Sequence, residues 1–480
     1  MNKLNGLHPE NVFKFFEEIS LIPRGSGNMK QISDYCEEFA KEHSLRIIRD
    51  DADNIIIFKN GTAGYENAQP VILQGHLDMV CQKEPTCTID FERDGLDIYV
   101  DGDYIKARGT TLGADNGIAV AMVLAILASD NIAHPPIEAI FTTDEEIGMI
   151  GASKLDVSEI KGKRMINIDS EEQDLLTTSC AGGMEYKLSI PIKRRIATGS
   201  KISFSIAGLK GGHSGVEIDK KRVNASILMG RILNHLRKFE FDIISITGGD
   251  KSNAITNACM ADILTKDAEK FISALRDYEQ TIKNEIDDRE PDFIISIETF
   301  GESALEVFET DTKETLISAL VLIPNGIIEM SATIDGLVET SLNLGILKTD
   351  KENITLVSGL RSSKLSALDA LEEKLGVLAD TLGLSYKTSG KYLPWEYNRN
   401  SVLQKLYIEC FEEKFGYPPK VVAIHAGLEC GVLASKISGL DSISIGPELF
   451  DIHTVNERVS IKSVREMYQL ILDVLKKMDK

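Results

Sequence analysis

No stretch of this chain is apolar for long enough to cross a bilayer. The longest apolar run, residues 118–128, is well short of the ~20 residues that a spanning helix needs. The opening stretch is amphipathic around Phe13, Phe15, Phe16 and Ile19 and lacks the continuous apolar core of a signal peptide, so the expected location is cytoplasmic. Basic charge is also scarce. With 53 Lys and Arg against 74 Asp and Glu, the net charge of −21 argues against a nucleic-acid or anionic-membrane partner. The seven cysteines, Cys36, Cys81, Cys87, Cys180, Cys259, Cys410 and Cys430, are odd in number, scattered and without a CxxC pair. They read as buried free thiols in a reducing compartment. There is no low-complexity segment. At 480 residues, 43% of them apolar and 26% charged, the chain has the composition of an ordinary globular protein and the length of two or three domains.

What is present is an alternation of short apolar strands and helices, from residue 54 to Asp169, with helical pieces at 30–42 and 116–129. That is the pattern of an α/β sheet covered by helices on both faces. After Gly182-Gly183 the runs 185–190 and 201–206 alternate with period two, as half-exposed antiparallel strands do. Helical patterns at 221–239 and 268–285 follow, then strands at 293–299, within 331–346 and at 353–358. A last alternation has a helix at 401–415, strands at 420–424 and 442–446, and a helix from 463 to the end. The expected fold is α/β, a mixed and mostly parallel sheet sandwiched by helices, interrupted by an α+β insert. The expected domains are 1–187 and 388–480 for the catalytic part and 188–387 for the insert, which has room for two ferredoxin-like layers.

Four apolar strands run into residues that bind metals. Residues 71–73 lead to His76 and Asp78, 137–143 to Asp144, Glu145 and Glu146, 165–168 to Asp169, and 443–446 toward His453. Asp115 lies in Gly113-Ala114-Asp115-Asn116-Gly117, ahead of a helical run. In open α/β sheets ligands collect outside the carboxyl ends of the strands, so residues distant in sequence converge there. Mixed imidazole and carboxylate ligation suits paired borderline divalent ions, and the pattern reads as a two-metal hydrolase. On an extended strand His76 and Asp78 point the same way, so Asp78 can accept the ring N–H of a metal-bound His76. Each feature has a plainer account: an incidental His-x-Asp, an N-cap at Asp115, a solvated charged patch at Glu145-Glu146. Yet the glutamate pair follows a buried strand, where like charges need a counter-ion.

The strings Gly75-His76-Leu77-Asp78-Met79-Val80, Gly113-Ala114-Asp115-Asn116-Gly117, Asp144-Glu145-Glu146, Asn167-Ile168-Asp169-Ser170-Glu171-Glu172 and Ile424-His425-Ala426-Gly427-Leu428-Glu429-Cys430-Gly431 resemble the aminoacyl-histidine dipeptidases. This peptidase D, or bacterial carnosinase-like, group sits within the zinc exopeptidase family, beside aminoacylase, tripeptidase and glutamate carboxypeptidases. The resemblance spans nearly the whole chain. It implies that His76, Asp115 and Asp169 hold one ion, that Asp115, Glu146 and His453 hold the other, and that Glu145 is the general base. It also implies a cis peptide at Asp115–Asn116, a lid histidine at His213 within Lys210-Gly211-Gly212-His213-Ser214-Gly215, a lid asparagine at Asn253 and a carboxylate-gripping arginine at Arg361. One departure is the loop His453-Thr454-Val455-Asn456-Glu457, where relatives usually read His-Ser-Pro-Asp-Glu; it leaves side-chain specificity open.

The reading is a cytoplasmic metallo-dipeptidase for unblocked dipeptides, Xaa-His among them. It would use two divalent ions, zinc first, with cobalt or manganese accepting similar ligands. Its partner is a small peptide, and a homodimer is possible if a neighbour supplies the lid histidine. Rivals are a tripeptidase, carboxypeptidase or N-acyl deacylase on the same scaffold, or a catalytically silent metal-binding protein.

Overall fold

The computed structural model describes residues 3–332, 334 and 336–478. The chain forms two units, one of residues 1–180, 395–423 and 428–480, the other of residues 181–394 and 424–427. The boundaries read from the sequence, at 187/188 and 387/388, fall inside the strands Gly182–Pro191 and Ser385–Tyr392. Those strands pair with each other from Ser385 opposite Ser189 to Tyr392 opposite Gly183, so a cut in either would split one ladder. The chain crosses instead at 180/181 and 394/395, where Cys180 and Trp395 exchange both backbone hydrogen bonds.

The first unit is built on an eight-stranded mixed sheet. Its four central strands, in order Ile137–Thr142, Val71–His76, Arg164–Asn167 and Asp441–Ser444, run parallel. Ile55–Lys59 and Arg46–Arg49 continue it antiparallel on one side, Leu175–Cys180 on the other, with Lys420–Ile424 at that edge. Val71–His76 and Ile137–Thr142 are buried at every position, as befits strands covered on both faces. The helix Ala114–Leu127 is apolar all round, and it packs against Val71–His76 and the helix Glu10–Ser20. Two helices near the carboxyl end, Val402–Phe415 and Ile461–Lys477, start at serines that cap them: Ser401 Oγ accepts the Gln404 N–H at 2.8 Å and Ser460 Oγ the Ser463 N–H at 3.3 Å. A small sheet of Ile98–Asp101, Tyr104–Ala107, Arg458–Ser460 and Leu449–Phe450 holds the hairpin whose loop carries His453.

The second unit has its own core and one nine-stranded sheet, antiparallel throughout its described pairings. The room for two ferredoxin-like layers is filled side by side: Ile294–Phe308, Arg194–Ala207, Cys259–Thr265 and Phe241–Asp250 form one half of the sheet, Val338–Thr349, Asn353–Ser362, Gly182–Pro191 and Ser385–Tyr392 the other, and Phe241–Asp250 pairs with Val338–Thr349 to make them continuous. Its helices are Ala225–Leu236, Ala268–Ile286, Thr310–Leu322 and Leu365–Thr381. Thr310–Leu322 was not expected from sequence, since its threonines and other β-branched residues weaken the local helix signal. The strand expected within 331–346 begins at Val338, and residues 333 and 335 lie outside the described residues. All seven cysteines are free, five of them buried. No helix among the described residues is long and apolar enough to cross a membrane.

Candidate active site

The four parallel strands deliver their following residues to one place. His76 Nε2 lies 3.3 Å from Asp115 Oδ1 and 3.4 Å from Asp169 Oδ1. His453 Nε2 lies 3.2 Å from Asp115 Oδ2 and 3.1 Å from Glu146 Oε1. Asp115 therefore turns one oxygen to each imidazole. His76, Asp115 and Glu146 also offer ligand atoms within 4.8 Å of one another. His76 Nδ1 faces the Asp78 carbonyl oxygen at 3.2 Å and Asp78 Oδ1 at 3.4 Å, so Nδ1 is the ring nitrogen that donates. Nε2 then points its lone pair at oxygens that can only accept. Such an arrangement calls for a cation between them, and this donor set suits a divalent ion.

Asp78 does more than orient His76. Its Oδ1 accepts the Glu145 N–H at 3.0 Å, and its Oδ2 the Glu146 N–H at 3.2 Å and the Ser26 hydroxyl at 2.8 Å, so one buried carboxylate ties the histidine strand to the glutamate pair. Asp115 is not a helix cap: the helix Ala114–Leu127 has no side-chain cap, and Asp115 and Asn116 have non-helical angles. The Asp115–Asn116 peptide is cis. Asn116 spans two strand ends, accepting the His76 N–H at 3.2 Å and donating to the Ile168 carbonyl at 2.6 Å. Gly75 makes room for it, because a Cβ there would sit 2.4 Å from Asn116 Oδ1. Asp144, Met149, Asp451 and His453, all in the ligand-bearing loops, adopt left-handed backbone at φ between 51° and 56° or, for His453, 60°. Non-glycine residues hold such angles at a cost that surrounding structure offsets, commonly at functional sites.

Two buried charges that the motifs did not single out as site residues hold the Asp115 loop. Glu457 accepts the backbone N–H groups of Leu112, Gly113, Ala114 and Asp115 at 2.8, 3.0, 2.8 and 3.3 Å. Arg24, 2% exposed, donates to the carbonyls of Leu77, Asp78 and Gly113. Burial lowers its proton affinity, while Glu457 and Asp78 hold its charge in place. Glu457 was visible in the motif only as a retained letter, and Arg24 carried no signal, because its partners are main-chain oxygens. Beneath the site Glu429 accepts from Gln74 and Thr142 at 2.6 Å each.

The carboxylates crowd one another. Burial, reinforced by Asp169, Glu429 and Glu146, pushes Glu145 up to about 9. Burial likewise raises Asp169, with Asp115 and Glu146 adding to it. His453 is raised to about 10 by its bonds to Asp115 and Glu146. For His76 burial favours the neutral ring, but Asp169, Asp115 and Asp78 outweigh it and raise its proton affinity.

The remaining candidates, His213, Asn253 and Arg361, lie in the second unit. His213 pairs with Ala254 in a two-residue ladder, and the Asn253 carbonyl accepts the Ser214 N–H at 2.9 Å. His213 Nδ1 accepts the N–H groups of Gly215 and Val216 at 3.2 Å each, which leaves the ring proton on Nε2. Burial and the nearby Arg361 lower its proton affinity, so the ring is a neutral N–H donor. Asn253 and Arg361 line one cavity of about 150 Å³ together with Met184, Glu185, Ser214 and Tyr392.

Comparison with known proteins follows the same lines. The chain is 36% identical over 482 residues to the cytosol non-specific dipeptidase of Escherichia coli, with 99% of each chain covered. Its structure matches that of the aminoacylhistidine dipeptidase of Vibrio alginolyticus with a TM-score of 0.92 at 33% identity, over 99% of this chain and 98% of that one. It shares its fold with the aminopeptidase PepT of Bacillus cereus, with a TM-score of 0.57 at 15% identity, over 99% of this chain and 100% of that one. The model of peptidase family M20/M25/M40 matches residues 72–477. The chain belongs to peptidase family M20/M25/M40.

Proposed function

We propose that the protein is a two-metal dipeptidase for unblocked dipeptides, Xaa-His among them. The observation that carries this reading is Asp115, whose two oxygens face two different imidazoles, each with a further carboxylate beside it. His76, Asp115 and Asp169 would hold one ion, and Asp115, Glu146 and His453 the other. Zinc suits this set best, and cobalt or manganese accept similar ligands. When bound, such ions supply Lewis acidity, polarising the scissile carbonyl and making water a stronger acid.

Glu145 is the general base in this reading. Its carboxylate takes the proton of the attacking water and returns it to the leaving amine, a role suited to a carboxyl whose surroundings raise its proton affinity. Asp78 fixes the direction of His76 and the backbone of the glutamate pair. His213, neutral with its proton on Nε2, donates to the carbonyl oxygen as charge develops there. Arg361 and Asn253 receive the free carboxylate of the substrate, which a planar guanidinium can grip with two hydrogen bonds. A cytosolic relative supports a cytoplasmic location.

The test is a panel of free dipeptides, N-acetylated dipeptides and tripeptides, assayed on the metal-free protein and after addition of zinc, cobalt or manganese. Metal-dependent cleavage confined to the free dipeptides is the expected result. Preference for acetylated substrates would make the protein a deacylase, and preference for tripeptides a tripeptidase.

A further inference from the structure

The cavity that carries Arg361 stands on glycine. In the sheet of the second unit Arg361 lies opposite Gly183, and Gly183 lies opposite Tyr392, so three neighbouring strands meet at a residue without a side chain. Gly359 and Gly390 line the same cavity. A Cβ on Gly183 would sit 2.8 Å from Tyr392 Oη and 2.8 Å from the Leu360 carbonyl oxygen. The missing side chain is what lets the phenol lie across the middle strand. Over that gap Arg361 Nη1 donates to Tyr392 Oη at 3.1 Å. Among the described residues no carboxylate pairs with Arg361.

We propose that Tyr392 is a positioning residue for Arg361, set there by Gly183. An arginine side chain has many rotamers, and that freedom is lost on binding unless something holds the side chain beforehand. A phenol oxygen is well chosen for this. It accepts from one N–H and fixes the plane of the guanidinium, yet it brings no negative charge that would compete with a substrate carboxylate. A glutamate in the same place would neutralise the site. The remaining N–H groups stay available for the two parallel bonds that a carboxylate takes from arginine. Loss of the phenol oxygen should therefore weaken binding of the free carboxylate and leave the chemistry at the peptide bond alone.

This inference rests on the reading of Arg361 as the carboxylate receptor, and the experiment separates the two. Tyr392→Phe, Gly183→Ala and Arg361→Ala are made in the full metal-loaded chain and assayed on alanyl-leucine and on its C-terminal amide. For Tyr392→Phe the KM of the free dipeptide should rise about three- to tenfold, the loss of one hydrogen bond, with kcat within about twofold and much less change on the amide. Gly183→Ala, which displaces the phenol, should show the same split. In the Arg361→Ala background Tyr392→Phe should cost nothing more. Equal losses on acid and amide, or no loss on either, would overturn the role of Tyr392. If Arg361→Ala itself affects both substrates equally, the reading of Arg361 fails instead.

Discussion

Replacing Glu457 by glutamine tests whether the Asp115 loop is held by charge. The carboxylate accepts four backbone N–H groups, two on each oxygen. Glutamine keeps one accepting oxygen and turns an NH₂ group toward the other pair, so two charge-assisted bonds of about 1.5–3 kcal/mol each are lost. The buried Arg24, whose charge Glu457 helps to balance, loses that support as well. We expect Glu457→Gln to destabilise the first unit by about 3–5 kcal/mol. The single tryptophan, Trp395, is 4% exposed and belongs to that unit, so its fluorescence in a urea titration of the metal-free protein reads the change directly. With Asp115 displaced, metal affinity measured by calorimetry should fall by about 10- to 100-fold, as for other groups that support a ligand. Pairing the variant with Arg24→Met should cost less than the sum of the two single changes, since each charge is then absent with its partner. A loss below about 1 kcal/mol together with unchanged metal affinity would refute the account and leave Glu457 an ordinary buried acid.

Glu145→Gln should retain both metals while kcat falls by about 10²- to 10⁴-fold or more, whereas Glu146→Gln should lose one metal equivalent; the reverse pattern in metal analysis would exchange their roles. Asp78→Ala should leave the protein folded and weaken metal binding by about 10- to 100-fold, and an affinity like that of the wild type would return Asp78 to a purely structural role. Because His76 and His453 in the metal-free protein hold their protons above the ordinary imidazole range, His453 to about 10, a metal must displace them. The sign follows: affinity should rise with pH from neutrality toward 10, and calorimetry in buffers of different ionisation heat should show proton release at pH 7. Affinity independent of pH over that range would mean that the histidines are not ligands.

Much of the site was legible because its residues stand in sequence next to the strand ends that carry them. His76, Glu146 and Asp169 each follow an apolar strand within a few residues, and an α/β sheet brings such ends together whatever fills its loops. The discontinuity of the chain was legible too, since the strand at 442–446 leads toward His453, a residue of the same ligand set as His76. The exact crossing points were not, because a strand that belongs to one ladder looks the same on either side of residue 187.

What only the tertiary structure decided is everything that depends on main-chain partners and on register. Arg24 and Glu457 are 433 positions apart in the numbering and grip the same loop through its peptide groups, which no pattern of side-chain types announces. Tyr392 reaches Arg361 because both are registered against Gly183, and a shift of one residue in either strand would turn its side chains to the other face. The tautomer of His213 likewise follows from two backbone N–H groups in its own turn. Side-chain chemistry at strand ends is local and can be read along the chain. The orientation of those side chains is set by hydrogen bonds between segments remote in sequence, and these come into being only when the chain has folded.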